Sequence, residues 1–260
     1  MRILSPASPL NPRVADDFYE PERQAHGLPS SLFDFDAVLS GAALRFKPGL
    51  EAGEVVVYRG WMLRAEGYAR LEAAVAHSGA RLLTSSAQYR LTHHLPEWIA
   101  LLEKYTPRTR CYADARAAMR ALEGEPGPFF VKDWVKSLST GRGSIAHTVQ
   151  DIAPIAADLE RTRGSLEGGL CVRDVEHYLP DSEERCFVAH GQAFARDGHV
   201  PEIVRTAAAH VPSPFFAVDI ATRADGVLRI VELGDGGVSD LKQWTPEAFK
   251  AVLESLARDR

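Results

Sequence analysis

The sequence predicts an α+β chain, with a small parallel α/β lobe near the N-terminus and a larger, mostly antiparallel α+β unit behind it. Three observations lead there. The run Val55-Val56-Val57-Tyr58 is β-branched and aromatic. Residues 66–77 follow it with Leu71, Ala74 and Val75 on one helical face and Gly79 as a stop, and Arg81-Leu82-Leu83-Thr84 comes next. Strand, helix and strand in that order suit a parallel lobe. The turn cluster Glu125-Pro126-Gly127-Pro128 then marks a change of texture. Beyond it, short apolar runs at 129–132, 169–175, 185–190, 215–222 and 227–233 alternate with the hairpin signals Gly191-Gln192 and Asp225-Gly226. The expected division is 1–50 as lead-in and first part of the lobe, 51–125 as the lobe proper, and 126–260 as the larger unit.

Residues 1–30 hold five prolines, Pro6, Pro9, Pro12, Pro21 and Pro29, and read as extended or irregular chain. Pro96 opens a helix whose apolar stripe is Trp98, Ile99, Leu102 and Tyr105. Another helix is expected over 113–122 with Gly124 as its stop, and another over 152–161. Thr245-Pro246 caps a last one running through Leu256.

Composition narrows the function classes. Of 260 residues, 45% are apolar and 25% charged, which supplies a sizeable core and excludes general disorder. Thirty Lys and Arg against 35 Asp and Glu leave a net charge of -5, so nucleic acid is not an expected partner. Cys111, Cys171 and Cys186 lack CxxC spacing, which argues against a disulfide framework or zinc knuckle and for a reducing cytoplasm. No stretch approaches the roughly 18 apolar residues of a membrane span. Met1-Arg2-Ile3-Leu4-Ser5-Pro6 lacks the apolar core of a signal peptide. There is neither a GxGxxG turn nor a GxxxxGK[ST] loop, which disfavours Rossmann dehydrogenases and P-loop NTPases. No heptad or interface stripe sets an oligomeric state.

The C-terminal hairpin carries the most chemistry. With a two-residue turn at Asp225-Gly226, residue 224 pairs with 227, and counting outward sets Asp219 opposite Glu232. Two like charges facing each other need compensation, and magnesium held between carboxylates and phosphate oxygens is a common form of it. A three-residue turn at Ala224-Asp225-Gly226 would shift the register and separate the two acids. The following Gly234-Asp235-Gly236-Gly237-Val238-Ser239-Asp240 suits a loop wrapped around a charged ligand.

Upstream, alternation places Lys132, Trp134 and Lys136 on one strand face, ahead of the hydroxyl- and glycine-rich segment 137–144. Such a loop can fold its N–H groups over phosphates while Lys132 supplies a point charge; an edge strand protected by lysines would look similar. The strand around Val172, Arg173 and Asp174 can present backbone edges to a base, and the acids Glu183 and Glu184 can meet ribose hydroxyls or sit as surface acids beside Arg185. His93 and His94 read as surface histidines, Cys171 and Cys186 as buried apolar residues, Arg59 as a substrate contact, and Trp61 as a substrate contact or lobe core.

Taken in order, the lysine strand with its glycine loop, the connector strand 170–174, the strand Glu184-Arg185-Cys186-Phe187-Val188 and the hairpin from Val218-Asp219 to Val231-Glu232 resemble the ATP-grasp superfamily. Tyr58-Arg59-Gly60-Trp61, Tyr89-Arg90 and Leu95-Pro96-Glu97-Trp98 resemble the clade in which an arginine replaces the first nucleotide-binding lysine. The resemblance covers about residues 50 to 245.

It implies an ATP-grasp fold with a pre-ATP-grasp lobe, and ATP and Mg2+ as cofactors. Lys132 and Arg90 would contact the nucleotide, Val172, Arg173 and Asp174 would read adenine, and Glu184 would hold the ribose. Asp219 and Glu232 would bind metal. Arg205 would stabilise the transferring phosphoryl group beside Lys132. The family asparagine two residues after the glutamate is Gly234 here, so Asp235 or Asp240 would supply the missing ligand. The implied activity is an ADP-forming carboxylate–amine ligase acting on a small-molecule or peptide carboxylate and an amine. A non-catalytic ATP-binding module and an ATP-grasp kinase are the alternatives.

Overall fold

The computed structural model describes residues 1–135 and 143–258. In chain order the N-terminal elements are β1 (Arg2–Pro6), α1 (Glu20–His26), β2 (Ser30–Phe33), α2 (Phe35–Ser40), β3 (Val55–Tyr58), α3 (Ala65–His77), β4 (Arg81–Leu82) and α4 (Ser86–His93). The middle of the chain forms α5 (Leu95–Trp98), β5 (Thr109–Tyr112), α6 (Ala115–Ala121), β6 (Phe129–Asp133), β7 (Ile145–Ala146), α7 (Ile152–Arg163) and β8 (Leu170–Asp174). The remainder is β9 (Glu184–Ala189), β10 (Gln192–Phe194), α8 (Glu202–His210), β11 (Phe215–Thr222), β12 (Leu228–Asp235) and α9 (Pro246–Ala257).

Two compact units divide the chain discontinuously. The first holds Met1–Thr92, Glu184–Asp219 and Leu233–Arg260; the second holds His93–Glu183 and Ile220–Glu232. The chain therefore passes from one to the other inside β11 and again inside β12. The turn cluster at 125–128 falls within the second unit and does not separate the two.

In the first unit β2-β1-β3-β4 make a parallel sheet, as expected for the lobe. Its centre was not expected: residues 2–6, read as irregular lead-in, are the fully buried inner strand β1. Proline content hides it because the strand is defined by neighbours far along the chain, with Ile3 opposite Ser30 on one side and Val57 on the other. Alternation then splits the sheet's two faces. Leu4, Val56 and Tyr58 pack with Leu71 and Val75 of α3, while Ile3 and Val57 pack with Phe187, Phe215 and Phe249. The strands β9 to β12 form a second sheet in the order β10-β9-β11-β12. Thr245 caps α9, its hydroxyl oxygen accepting from the Ala248 N–H, as the sequence predicts.

The second unit is built on the antiparallel sheet β5-β8-β6-β7. Helices α6 and α7 cover one face of it. The helix expected from Pro96 stops early: α5 is one turn, two short 3-10 turns follow, and Leu102 has φ -129° and ψ 22°, outside the helical region. Helix α8 went unread in the sequence, although Pro201 stands at its N-cap.

One buried histidine makes the first unit sensitive to pH. His26 ends α1, and its Nδ1 accepts the Leu28 N–H at 2.9 Å. Burial, then the charges of Arg23, Arg59 and Lys250, lower its pKa from 6.5 to about 4. Between those values the unfolded chain binds a proton that the folded chain refuses, so this contribution is present above pH 6.5 and lost as pH falls through about 4. The urea midpoint is expected to drop over that window, and His26→Gln should flatten the drop. An unchanged slope in the variant would show that His26 does not cause it.

Candidate functional site

The register of the second unit's sheet decides which side chains meet. Lys132 lies opposite Cys171, and Phe130 opposite both Arg173 and Ile145. Phe129, Val131, Leu170 and Val172 occupy the other face, in the core with Leu122, Ile152, Ile155 and Leu159. Alternation therefore turns Phe130, Lys132 and Arg173 away from the helices. There they line a pocket of about 330 Å³. Ile145, Val231, Pro107, Val175 and Tyr178 extend its apolar wall; Asp174, Glu176, Glu183 and Glu232 supply carboxylates.

Two cations are buried in this pocket, each 5% exposed. The Lys132 ammonium donates to the Val135 carbonyl at 3.2 Å and stands 3.5 Å from Glu232 Oε1. Arg173 donates through Nη1 to the Val231 carbonyl at 2.8 Å and through Nη2 to the Thr106 hydroxyl, while its buried Nε has no partner among the described residues. Burial pushes the Lys132 pKa down; Glu232 opposes the shift and Arg173 adds to it. Burial likewise lowers Arg173. The acids are partly engaged already, Glu176 by Tyr178, Arg223 and Arg229, and Asp174 by Arg110 at 3.6 Å.

Val172 puts its side chain in the core. Glu183, not Glu184, lines the pocket; Glu184 is the exposed first residue of β9, in the first unit. Arg90 is exposed on α4, and Arg205 is exposed on α8, 3.3 Å from Glu202. Neither lines the pocket. Lys136 and the loop residues 137–142 lie outside the described residues. Of the end of that loop, Ser144 is buried and its carbonyl accepts the Val131 N–H at 2.8 Å.

The hairpin turn has three residues, not two. The Arg223 N–H donates to the Val227 carbonyl at 2.8 Å and the Gly226 N–H donates to the Arg223 carbonyl, with Gly226 at φ 86°. This closing pair suits a type I turn with a glycine bulge, and it moves the count by one. The reasoning that set Asp219 opposite Glu232 rested on the shorter turn and no longer holds.

Each carboxylate has partners of its own. In the first unit Asp219 takes a bidentate bond from Arg185, 2.7 Å at both oxygens, and a third contact from Lys242 at 2.9 Å. Burial raises its pKa, but the Arg185 bonds and the two charges outweigh burial and hold the carboxyl below its ordinary range. Arg185 also reaches Asp240 at 2.6 Å. Asp235 is turned into the interior, where Oδ1 accepts the Gly237 N–H at 2.8 Å and burial raises its pKa to about 7. Among the described residues no group of three or more His, Cys, Asp and Glu side chains is placed to hold a metal ion.

Arg59 is a structural clamp. It is buried, paired with Glu22 at 2.6 and 2.8 Å, and donates to the carbonyls of Gly236 and Ser239 at 2.7 and 2.8 Å. Trp61 is 39% exposed and meets Phe18 and Tyr19 edge-on or tilted. His93 and His94 are buried rather than on the surface, with His94 Nε2 3.4 Å from Glu167. The sequence reading missed the side-chain role of Arg173 and the roles of Arg185 and Lys242. Arg173 was legible only through its pairing with Phe130. Lys242 sits at φ 45°, a conformation no neighbouring residue announces.

Residues 112–253, more than half of the chain, match the ATP-grasp domain, R2K clade family 3. The chain belongs to that family. Among solved structures it resembles D-cycloserine synthetase DcsG, with TM-score 0.62, 19% identity, and 98% of this chain and 100% of that one covered. It also resembles the ATP-grasp ligase PsnB complexed with minimal precursor, Mg and ADP (TM-score 0.58, 16% identity, 98% of each chain). A third likeness is to macrocyclase MdnC bound with precursor peptide MdnA from Microcystis aeruginosa MRC (TM-score 0.62, 13% identity, 99% and 100%). None of the curated proteins matches the sequence. The fold is that of the ATP-grasp ligases, which use ATP and Mg2+.

The pocket fits a nucleotide on its own terms. An apolar wall can hold a base, and the Arg173 Nε, without a partner among the described residues, can hold phosphates together with the buried Lys132 ammonium. Glu232 would supply a carboxylate to magnesium bound with the nucleotide's phosphates, an arrangement that needs no protein cage. Asp219 is a different kind of residue, a buried acid balanced by two cations. Asp219→Asn is expected to lower stability by about 3 kcal/mol, since it removes the buried negative charge that faces both Arg185 and Lys242. Urea unfolding checks this, and an unchanged midpoint would contradict it.

Proposed function

We propose that the chain is an ATP-dependent ligase that activates a carboxylate as an acyl phosphate and couples it to an amine, releasing ADP and phosphate. The observation that carries the reading is the pair of buried cations, Lys132 and Arg173, facing one pocket with the Glu232 carboxylate within reach of Lys132. Burying two like charges together is costly, and a polyanionic ligand relieves the cost.

In this reading Lys132 and Arg173 bind the nucleotide's phosphates and draw off charge as the γ-phosphoryl group moves to the substrate carboxylate. Phe130, Ile145 and Val231 hold the base, the backbone at Asp174 reads its edge, and Glu183, or Glu184 beside it, takes the ribose hydroxyls. Magnesium bound at Glu232 would supply further neutralisation of the phosphoryl oxygens. Arg90 and Arg205 keep their assignments, to the nucleotide and to the transferring group, on family resemblance alone. Burial of Lys132 and Arg173 strengthens their hold on phosphate because little water screens them. The amine then displaces phosphate from the acyl phosphate to give the amide.

PsnB and MdnC are described with precursor peptides and DcsG as a synthetase of D-cycloserine. We extend to this chain the general class, a small-molecule or peptide carboxylate with an amine acceptor. The net charge of -5 speaks against nucleic acid as partner. No helix among the described residues is long and apolar enough to cross a membrane; cytoplasmic residence is our inference from the cysteine usage.

A binding-only module is the second reading. It is favoured by Gly234 in place of the family asparagine and by the engagement of Asp219 with Arg185 and Lys242.

Screening carboxylates and amines for ADP release with Mg-ATP separates the two. The ligase reading expects ADP and phosphate only when both substrates are present. A magnesium-dependent thermal shift with ATP and no turnover across the screen would favour the module, and a stable phosphorylated product formed without amine would indicate a kinase. Lys132→Ala should weaken ATP binding about tenfold to a hundredfold by calorimetry. Glu232→Gln should remove the magnesium dependence of that binding. Wild-type affinity in both variants would discard the pocket.

A further inference from the structure

We infer that Cys111 and Cys171 form a dithiol site that low-molecular-weight disulfides oxidise to a cross-strand disulfide. This inference is independent of the ligase reading.

The two cysteines face each other on adjacent strands, Cys111 on β5 and Cys171 on β8. Their sulfurs are 2.7 Å apart, both as free thiols. The hydrogen-bond pattern says which kind of pair this is. The Asp174 N–H donates to the Arg108 carbonyl at 2.9 Å, so 108 and 174 are a hydrogen-bonded pair. Alternation along the ladder makes 109 with 173 a non-hydrogen-bonded pair, 110 with 172 hydrogen-bonded, and 111 with 171 non-hydrogen-bonded again. Non-hydrogen-bonded pairs bring Cα atoms to about 4.5 Å, inside the span of roughly 4.4–6.8 Å that a disulfide bridges. The bond needs no movement of strand register.

The two thiols also differ in a way that sets an order of reaction. Cys111 is exposed and Cys171 is buried. The hydrogen bond between the two sulfurs lowers the Cys111 pKa, whereas that same bond and burial raise Cys171. The attacking thiolate is therefore Cys111 and the resolving thiol Cys171.

In the first step the Cys111 thiolate attacks one sulfur of the small disulfide. A protein–small-molecule S–S bond forms, the original S–S bond breaks, and one small thiolate leaves and takes a proton from solvent. Cys171 then gives its proton to solvent and attacks Cys111 Sγ, displacing the second small thiolate. Two protein thiols lose two electrons and become one disulfide, and the small disulfide gains them and becomes two thiols. Cys186 lies in β9, buried in the first unit, and takes no part.

The test exposes the reduced full-length protein to glutathione disulfide, quenches it with acid, unfolds it and alkylates every remaining thiol. Intact mass should show alkylation falling from three sites to one, with no glutathione retained, and a peptide map should join the segments holding Cys111 and Cys171. Cys171→Ala should trap one glutathione on Cys111, because nothing resolves it. Cys111→Ser, at the exposed position, should leave both remaining thiols unreacted. Three alkylated sites after exposure, glutathione retained on the wild type, or a bond involving Cys186 would each overturn the inference.

Discussion

One antiparallel register underlies the chemistry of the second unit: Lys132 across from Cys171, and Phe130 across from Arg173. Because side chains alternate across a sheet, every apolar residue that β6 and β8 give to the helical core commits its neighbour to the opposite side. Val131 and Val172 anchor the core, so Lys132 and Arg173 have no choice of face. The free energy that seats the valines against Ile152, Ile155 and Leu159 is thus what holds two cations out of water. Neither cation would choose that position alone. Their depressed pKa values record the cost, and a bound polyanion is the physical means of reversing it.

The carboxylates differ in their partners. Glu232 remains close to Lys132 at the pocket, while Asp219 is locked to Arg185 and Lys242, and Asp235 is turned inward beneath the Gly237 N–H. Magnesium would be held by one or two carboxylates together with the nucleotide's phosphates, and Glu232 would be one of those carboxylates. Asp219 meanwhile holds partners of its own. A bidentate carboxylate fixes the Arg185 guanidinium in one plane, and Lys242 is held at a strained backbone position by the same acid.

The first unit is ordered by a different buried charge. Arg59 spends all three of its nitrogens on Glu22 and on the carbonyls of Gly236 and Ser239. Those carbonyls belong to a glycine-containing segment with no regular partner strand, and an unpaired backbone at that burial would be unfavourable. The arginine supplies the missing donors. A residue that looked like a substrate contact in the sequence is therefore accounted for by the backbone it satisfies, and the aromatic cluster of Trp61, Phe18 and Tyr19 is what stays partly open to solvent.

Much of this was legible in the chain itself. Helices α3, α6, α7 and α9 were marked by apolar spacing, caps and stops. The long strands β6, β8, β9, β11 and β12 were marked by β-branched and aromatic runs, and Lys132 stood out as a charge on such a run. These signals are local, so they survive without knowledge of the partner. What failed was set at a distance. Strand β1 is defined by neighbours that lie tens of residues away, and its prolines masked it. The turn at Ala224-Asp225-Gly226 took one residue more than its Asp-Gly dipeptide suggested, and a one-residue slip in a ladder exchanges the faces of everything beyond it. Arg173 met Phe130 only when β8 paired with β6, and the partners of Asp219, Arg185 and Lys242, come from outside its own strand. Local propensity names the element; which charges become neighbours is decided by register and packing, because the Coulomb and desolvation energies at stake depend on distances no short window of sequence contains.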